Sequence, residues 1–360
     1  MQATDGGPAA PAGAATSRSR HLARDLTILG IVGLLLLAAL GAGAGALYRE
    51  FYSPRAFVLH YLSLLEDRRA AEALAVPGVA IDAAELEAAG LPATASEALL
   101  RPDALNALSD ATIVDEQVSG TVTQVSVSYR AGSYTGRTTF SVERDGENGL
   151  LPRWRFARSP LAVIDLSVKG SMRFGVNGFE VDKRQVSVDG ADADPSAALP
   201  LLVFSPGLYS VAVDTPISTT PGVAVLADAP LTGIPVDVQA EPTAEFISVV
   251  QQRVEDFLTA CAEQKVLQPT GCPFGFTVRN RIDGTPSWSI TEQPTVTVVP
   301  DGAGWRIPST GAVAHIEVEI RSIFDGSTRQ VDEDVPFTVD GQITVLPDGS
   351  ASILVGGRSN

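Results

Sequence analysis

Cysteine and histidine are scarce in this chain. The 360 residues contain two cysteines and three histidines. Two thiols cannot supply a four-cysteine zinc site or a dense disulfide scaffold, and no two histidines stand at a metal-binding spacing. Positive charge is also short, with 26 Lys and Arg against 42 Asp and Glu and a net charge of −16. A chain that must neutralise phosphates needs a basic surface, so no nucleic acid is expected as a partner. Local catalytic signatures are missing as well: there is no G-x-S-x-G elbow, S-x-x-K, Walker loop or H-E-x-x-H. Catalytic groups can still converge from distant positions, so an enzyme remains an alternative that only a fold can address.

What is present points to folded domains. Hydrophobic residues make up 45% and charged residues 19%, a balance that supports sizeable cores. Residues 1–25 depart from it. They are rich in Ala, Gly, Pro, Ser and Thr, then carry Arg18, Arg20 and Arg24, and read as a disordered tail. An uncharged run follows from Leu26 to Tyr48, with four leucines at Leu34–Leu37. As a helix it spans about 35 Å, enough to cross a hydrocarbon layer of about 30 Å. The arginines ahead of it place the N-terminus in the cytoplasm and the remaining chain outside. A cleaved signal peptide is the rival reading, because Ala42-Gly43-Ala44 and Ala44-Gly45-Ala46 fit a cleavage pattern; the apolar run is long for a signal core. Gly41 and Gly45 have a helix-contact spacing, but they lie off-centre and read as a small-residue helix end. Lysine occurs only as Lys169, Lys183 and Lys265, while Arg and Ala abound, a composition typical of GC-rich actinobacterial genomes.

The segment from Ser53 opens with a capping serine and Pro54 at the first helical position. Phe57, Val58, Tyr61, Leu62 and Leu65 continue at helical spacing. Further helices are expected at Asp82–Ala89 and at Ala95–Leu108, the latter interrupted by Pro102. Alternation from Val118 to Tyr129 predicts a strand with Val125, Val127 and Tyr129 on one face, followed by strands at Thr138–Arg144 and Arg153–Arg158. From Leu161 to Pro242 the pattern is β throughout: Leu161–Val168, a hairpin at Val176-Asn177-Gly178, Leu201–Val213 with a turn at Pro206-Gly207, Ala224–Leu226 and Ile234–Val238. This predicts a small all-β sandwich or barrel.

Thr243 then opens a helix with Ile247, Val250, Val254, Phe257 and Cys261 in one stripe. Strands are expected at Pro294–Val299, Ala312–Ile320, Gln330–Val339, Gln342–Leu346 and Ala351–Val355. In Ala312–Ile320 the even positions are apolar, and the odd ones include His315, Glu317 and Glu319, so one face is buried and one is wet. Trp305-Arg306-Ile307 echoes Trp154-Arg155-Phe156, which suggests that the first and third units are distant repeats.

Cys261 and Cys272 are the predicted site pair, a structural disulfide. The segment after Cys261 turns back through Pro269, Gly271 and Pro273, and closing about 12 residues stabilises the fold by roughly 2–3 kcal/mol. A redox pair is the alternative, but the spacing is not CxxC and no adjacent His or Lys lowers a thiol pKa. His315 reads as a solvated surface residue, with a general base or metal ligand as the sharper alternative. His60 reads as a packed or boundary histidine. Asp189, Asp192 and Asp194 form an acidic loop without EF-hand order and read as solvated and mobile. Asp332, Glu333 and Asp334 read as a charge-protected strand edge or bulge. No catalytic, cofactor or metal-binding residue is assigned.

Two resemblances give these pieces a frame. Pro54-Arg55-Ala56-Phe57, Asp67, Ala70-Ala71-Glu72-Ala73-Leu74 and Trp154-Arg155-Phe156 resemble the nuclear-transport-factor-two-like cone found just outside the membrane in TcaA-type surface proteins and at the N-terminus of MecA-type penicillin-binding proteins. Val176-Asn177-Gly178-x-x-Val181 and Phe204-x-Pro206-Gly207-x-Tyr209-x-Val211 resemble PEGA-type surface modules, although Asp182 stands where that family usually has glycine. With the patterning above, these resemblances describe an α+β chain: a tail at 1–25, a transmembrane helix at 26–48, a cone-like α+β domain at 53–160, an all-β module at 161–242, and a helix plus antiparallel sheet at 243–360. The anchor and the acidic, motif-poor remainder lead to the expectation of a non-catalytic, membrane-anchored extracytoplasmic protein, and the resemblance implies a cell-wall setting, with a wall component or an envelope protein as the partner. An envelope hydrolase, or a structural subunit of a membrane complex, is the alternative.

Overall fold

A computed structural model describes Arg24 and residues 26–40, 51–148 and 151–359. Residues 26–40 are helical, and leucines along this helix, such as Leu29 and Leu34, are exposed. Among the described residues no helix is long and apolar enough to cross a membrane. The expected span runs on to Tyr48, and 41–48 lie outside the described residues, as do 1–23.

The chain is mixed α+β, built from several antiparallel sheets and a curled half-barrel sheet. Helix α1 (Pro54–Glu66) is capped by Ser53, whose hydroxyl accepts from the Ala56 N–H, and it buries Val58, Tyr61, Leu62, Leu64 and Leu65. Two short helices follow, α2 (Ala70–Ala75) and α3 (Ala83–Ala88), the second closed by a reciprocal capping box between Asp82 and Glu85. The helix expected over Ala95–Leu108 is instead two 3₁₀ turns, Glu97–Leu99 and Pro102–Ala104. Ser96, just ahead of the first turn, is drawn onto a strand. Ser96 N–H donates to Pro200 and Ser96 C=O accepts from Leu202, so tertiary pairing outweighs local helix propensity.

Four antiparallel strands complete this unit: β1 (Leu108–Ser119), β2 (Val122–Ala131), β3 (Tyr134–Asn148) and β4 (Leu151–Phe156), paired in that order. The single strand expected from Val118 to Tyr129 is in fact a hairpin. Gly120 (φ +61°) turns the chain, and Val118 lies opposite Thr123. Val125, Val127 and Tyr129 are buried as the alternation requires. Phe156 packs within 5.0–5.7 Å, ring to ring, of Phe57, Tyr61 and Phe140.

The next strands form two sheets. One holds β5 (Leu161–Lys169), β8 (Leu199–Phe204) and β12 (Gly233–Gln239), with β5 in the middle, parallel to β12 and antiparallel to β8. The other runs β11 (Val223–Ala227), β9 (Gly207–Ala212), β6 (Arg173–Val176), β7 (Phe179–Asp182). The Asn177–Gly178 turn joins β6 to β7, with φ positive at both residues (+51° and +88°), the requirement of a type I′ hairpin. Ser205–Pro206 is not a hairpin turn, because β8 and β9 lie in different sheets. A short helix α4 (Lys183–Val186) follows β7, and β10 (Ser218–Thr219) pairs with β13 (Glu241–Pro242).

β5 reads as a continuous apolar run because both of its faces are covered. Leu161 and Val163, with Leu202 and Phe204 of β8, join the core of the first unit. Ala162, Ile164, Leu166 and Val168 face the other way, into the core shared with β6, β9 and β11. One sheet is thus a common wall of two cores.

The third core forms around α5 (Ala244–Ala262), capped by Thr243 and burying Phe246, Val250, Val254, Leu258 and Cys261. It packs on a six-stranded sheet of β14 (Arg281–Ile282), β15 (Ser287–Glu292), β16 (Val299–Asp301), β17 (Gly304–Arg321), β18 (Thr328–Val345) and β19 (Ala351–Ser359). The strand expected at Pro294–Val299 begins only at Val299, and β15 precedes it. The two strands expected at 330–339 and 342–346 are one, β18. A bulge between Ile307 and Thr310 gives β17 one extra residue. Burial therefore moves from odd positions (Trp305, Ile307) to even ones (Ala312 to Ile320). Trp305 also ties this unit to the previous one: its indole N–H donates to the Ala240 carbonyl at 3.1 Å, and Gly170 N–H donates to Ala303. Gly170 (φ +83°) permits the approach, since a Cβ there would lie 3.1 Å from the Ala240 oxygen and 3.3 Å from the Trp305 ring.

Candidate functional site

A cleft of about 790 Å³ draws on all three regions. The first unit contributes Arg68, Leu105 and Asn106. The β6–β7 hairpin gives Arg173, Phe174 and Glu180, the segment after β9 gives Asp214 to Ile217, and the β18–β19 connection gives Val345, Asp348 and Gly349.

The cleft exists because β6 and β9 part company. They pair only at Gly175–Ala212 and Val176–Val211. Beyond that point each strand satisfies its backbone locally, as buried main-chain groups must. Ser171 Oγ donates to the Arg173 carbonyl (2.7 Å) and accepts from the Arg173 N–H (3.2 Å). On the other side, Val213 N–H donates to Thr220 Oγ1 and Thr220 N–H donates back to the Val213 carbonyl.

The charges around the cleft are of two kinds. Arg173 lies 3.7 Å from Glu180 and 3.5 Å from Asp182. Asp182 also takes two bonds from the Arg184 guanidinium, which hold its carboxyl below the usual range. Asp348 is likewise held low, chiefly by the Ser350 hydroxyl. Arg68, in left-handed backbone (φ +56°), and Asp214 have no oppositely charged side chain within ion-pair distance among the described residues. The cleft therefore offers the Arg68 guanidinium and the Asp214 and Asp348 carboxylates without ion-pair partners among the described residues, beside apolar wall from Leu105, Met172 and Phe174. Its lining contains no histidine and no cysteine. Such a surface can hold an extended ligand with polar ends. A smaller concavity of about 320 Å³ lies between α3 and β4, but its Glu85 is taken by the capping box and its Arg155 by Glu143 at 3.6 Å.

Of the motifs singled out in the sequence, the Asn177-Gly178 turn lines the larger cleft, whereas Cys261, Cys272, His60, His315 and the two acidic clusters do not. Cys261 and Cys272 form a disulfide with Cα atoms 5.8 Å apart. It closes a loop that Gln264 also braces: its side chain accepts from Thr270 N–H (2.8 Å) and donates to the Thr270 carbonyl (3.3 Å). His60 faces solvent instead of packing, being on the outer side of α1. His315 is not simply solvated. Its Nδ1 lies 2.9 Å from Asp334 Oδ1, and its Nε2 lies 3.1 Å from Asp332 Oδ1 and 3.9 Å from Glu317 Oε1. Asp332, Glu333 and Asp334 form no bulge. They pair in register with Glu317, Ile316 and His315, on a stretch of β18 that β19 does not cover.

The acidic loop is more fixed than its composition implies. Asp189, Asp192 and Asp194 are exposed, but Ala193 between them is buried in the third core. Among the described residues no group of His, Cys, Asp or Glu could hold a metal ion.

Lys183 went unnoticed in the sequence. It is fully buried, and its Nζ donates to the carbonyls of Val168 and Pro195. Burial pushes its pKa down to about 8, with nearby Asp194 opposing the shift. A lysine directly after a β-hairpin in an acidic chain with two other lysines was the available signal. The cleft left none, because it depends on where two strands separate. Compared with family models, with curated proteins and with solved structures, the chain matches none of them.

Proposed function

We propose that this is a non-catalytic binding or scaffold protein of the bacterial cell envelope. In this reading residues 26–48 anchor it as a single pass, with the N-terminus cytoplasmic and the domains outside. Residues 53–160 are a cone of the nuclear-transport-factor-two-like kind, 161–242 a PEGA-like β-module, and 243–360 a helix-plus-sheet domain. The observation that carries the reading is the cleft, where three regions converge on a surface suited to binding. The Cys261–Cys272 disulfide supports an oxidising compartment, and the exposed leucines of helix 26–40 support insertion into an apolar phase. The ligand is a wall component or another envelope protein.

The test places a photo-crosslinking residue at Asn106 and, separately, at Gly349, on different walls of the cleft, in the full-length protein in a bacterial membrane. Both positions are expected to capture the same envelope protein or wall fragment, and a crosslinker at the exposed His60, which does not line the cleft, is not. Turnover of a wall or ester substrate by the purified chain, abolished by a single substitution in the cleft, would overturn the non-catalytic reading.

A further inference from the structure

The outward face of the β17–β18 hairpin carries an arrangement that strand pairing alone disfavours. Glu317 lies directly opposite Asp332, and like charges in opposed positions destabilise a sheet. Glu319 extends the acidic row on β17, and Asp334 extends it on β18. On the other flank β15 presents Ser289 opposite His315 and Ser287 opposite Glu317, so it adds no countercharge there. His315 is the group that reaches the acids, with an acceptor against each ring nitrogen. Neutral imidazole has one N–H; only the imidazolium can donate to Asp332 and Asp334 together.

This position matters mechanically. β19 pairs with Phe337–Val345 of β18, and the outer stretch Thr328–Pro336 pairs with β17 alone. That stretch leads to a tip at Ile323 and Phe324, which are 66% and 92% exposed. Its inward face is held by Val331, buried in the third core, while from Thr328 to Asp334 the outward positions of β18 carry only Thr, Gln and Asp.

We propose that His315, when protonated, is a clamp that closes the outer half of the β17–β18 hairpin, and that losing the proton releases the arm and its apolar tip. The hydrogen bond to Asp334, then the charges of Asp332, Asp334 and Glu317, raise the imidazole pKa above its ordinary value despite partial desolvation. A raised value in the closed arm means that the closed arm binds the proton more tightly. The clamp is complete below the open-arm pKa of about 6.5 and fails as pH rises through the higher closed-arm value. Each pKa unit separating the two states is worth about tenfold in the closed-to-open ratio.

Amide hydrogen exchange across residues 322–336 of the full chain tests this, corrected for the intrinsic pH dependence of exchange. Protection of 328–336 should fall by about tenfold per unit of pKa difference between pH 6 and pH 9, while Phe337–Val345 stays protected. His315→Gln should show the weaker protection at both pH values. His315→Arg, which keeps its charge, should remain protected at pH 9, and Asp332→Asn should restore part of the protection in the His315→Gln background. If wild type keeps its protection across the pH range, or if folded His315→Gln matches wild type at pH 6, the clamp does not exist.

Discussion

The Tyr61 hydroxyl is fully buried and donates to the Ser205 carbonyl at 3.1 Å, at the corner where the chain leaves one sheet for the other. Burial holds its pKa well above the ordinary tyrosine value. Tyr61→Phe keeps the ring contacts and removes that one bond. It should lower stability by about 1–2 kcal/mol, measured by urea unfolding, because a buried carbonyl loses its donor. Lys183 performs the same service for two carbonyls. Lys183→Met should lower stability by about 1–3 kcal/mol at pH 7. The sign of the pH effect follows from the lowered folded value. Between about pH 8 and about 10.5 the unfolded chain binds more protons at this site, so the stability of wild type relative to the variant should grow with pH. Paired unfolding curves at pH 7 and pH 10 measure it. Gly78 (φ +80°) makes a third point, since a Cβ there would lie 2.3 Å from the Phe156 carbonyl oxygen. Gly78→Ala should lower stability by more than about 1 kcal/mol, by the same unfolding measurement.

Elements were legible in the sequence wherever one element has one buried face. The helix starts at Ser53 and Thr243, the stripes of α1 and α5, and the Asn177–Gly178 hairpin all follow from local chemistry. Elements failed where a distant partner decides. Residues 95–108 have helix-forming composition, yet Ser96 is held by β8. Val118–Tyr129 alternates across a turn because Gly120 preserves the appearance of one strand. The clean alternation in Ala312–Ile320 is real, whereas the opposite phase at Trp305 and Ile307 is understood only through the bulge. The Cys261–Cys272 pairing was readable because two cysteines allow one intramolecular bond. Replacing both with serine should lower stability by roughly 2–3 kcal/mol, mostly through a less restricted unfolded chain. Denaturation of wild type with and without reductant should show the same difference, and the double variant should be indifferent to reductant.

The whole molecule is less divisible than its sequence. Composition separates three units beyond residue 53, but β5 and β8 serve two cores at once. Met172 and Ala193, from the β-rich middle, are buried in the third core. The cleft arises from this sharing, because its walls come from regions that the chain order keeps apart, and no local motif announces it. His315 is intermediate: its strand face was predictable, but its carboxylate partners on β18 required the register. The account as a whole rests on where the chain lies relative to a membrane. Thiol labelling of Cys261 and Cys272 in intact bacterial cells with a membrane-impermeant reagent, before and after reduction by an impermeant phosphine, tests that most directly. The account predicts labelling from outside only after reduction. Cysteines that label without reduction after lysis, and never in intact cells, would place the domain inside and contradict it.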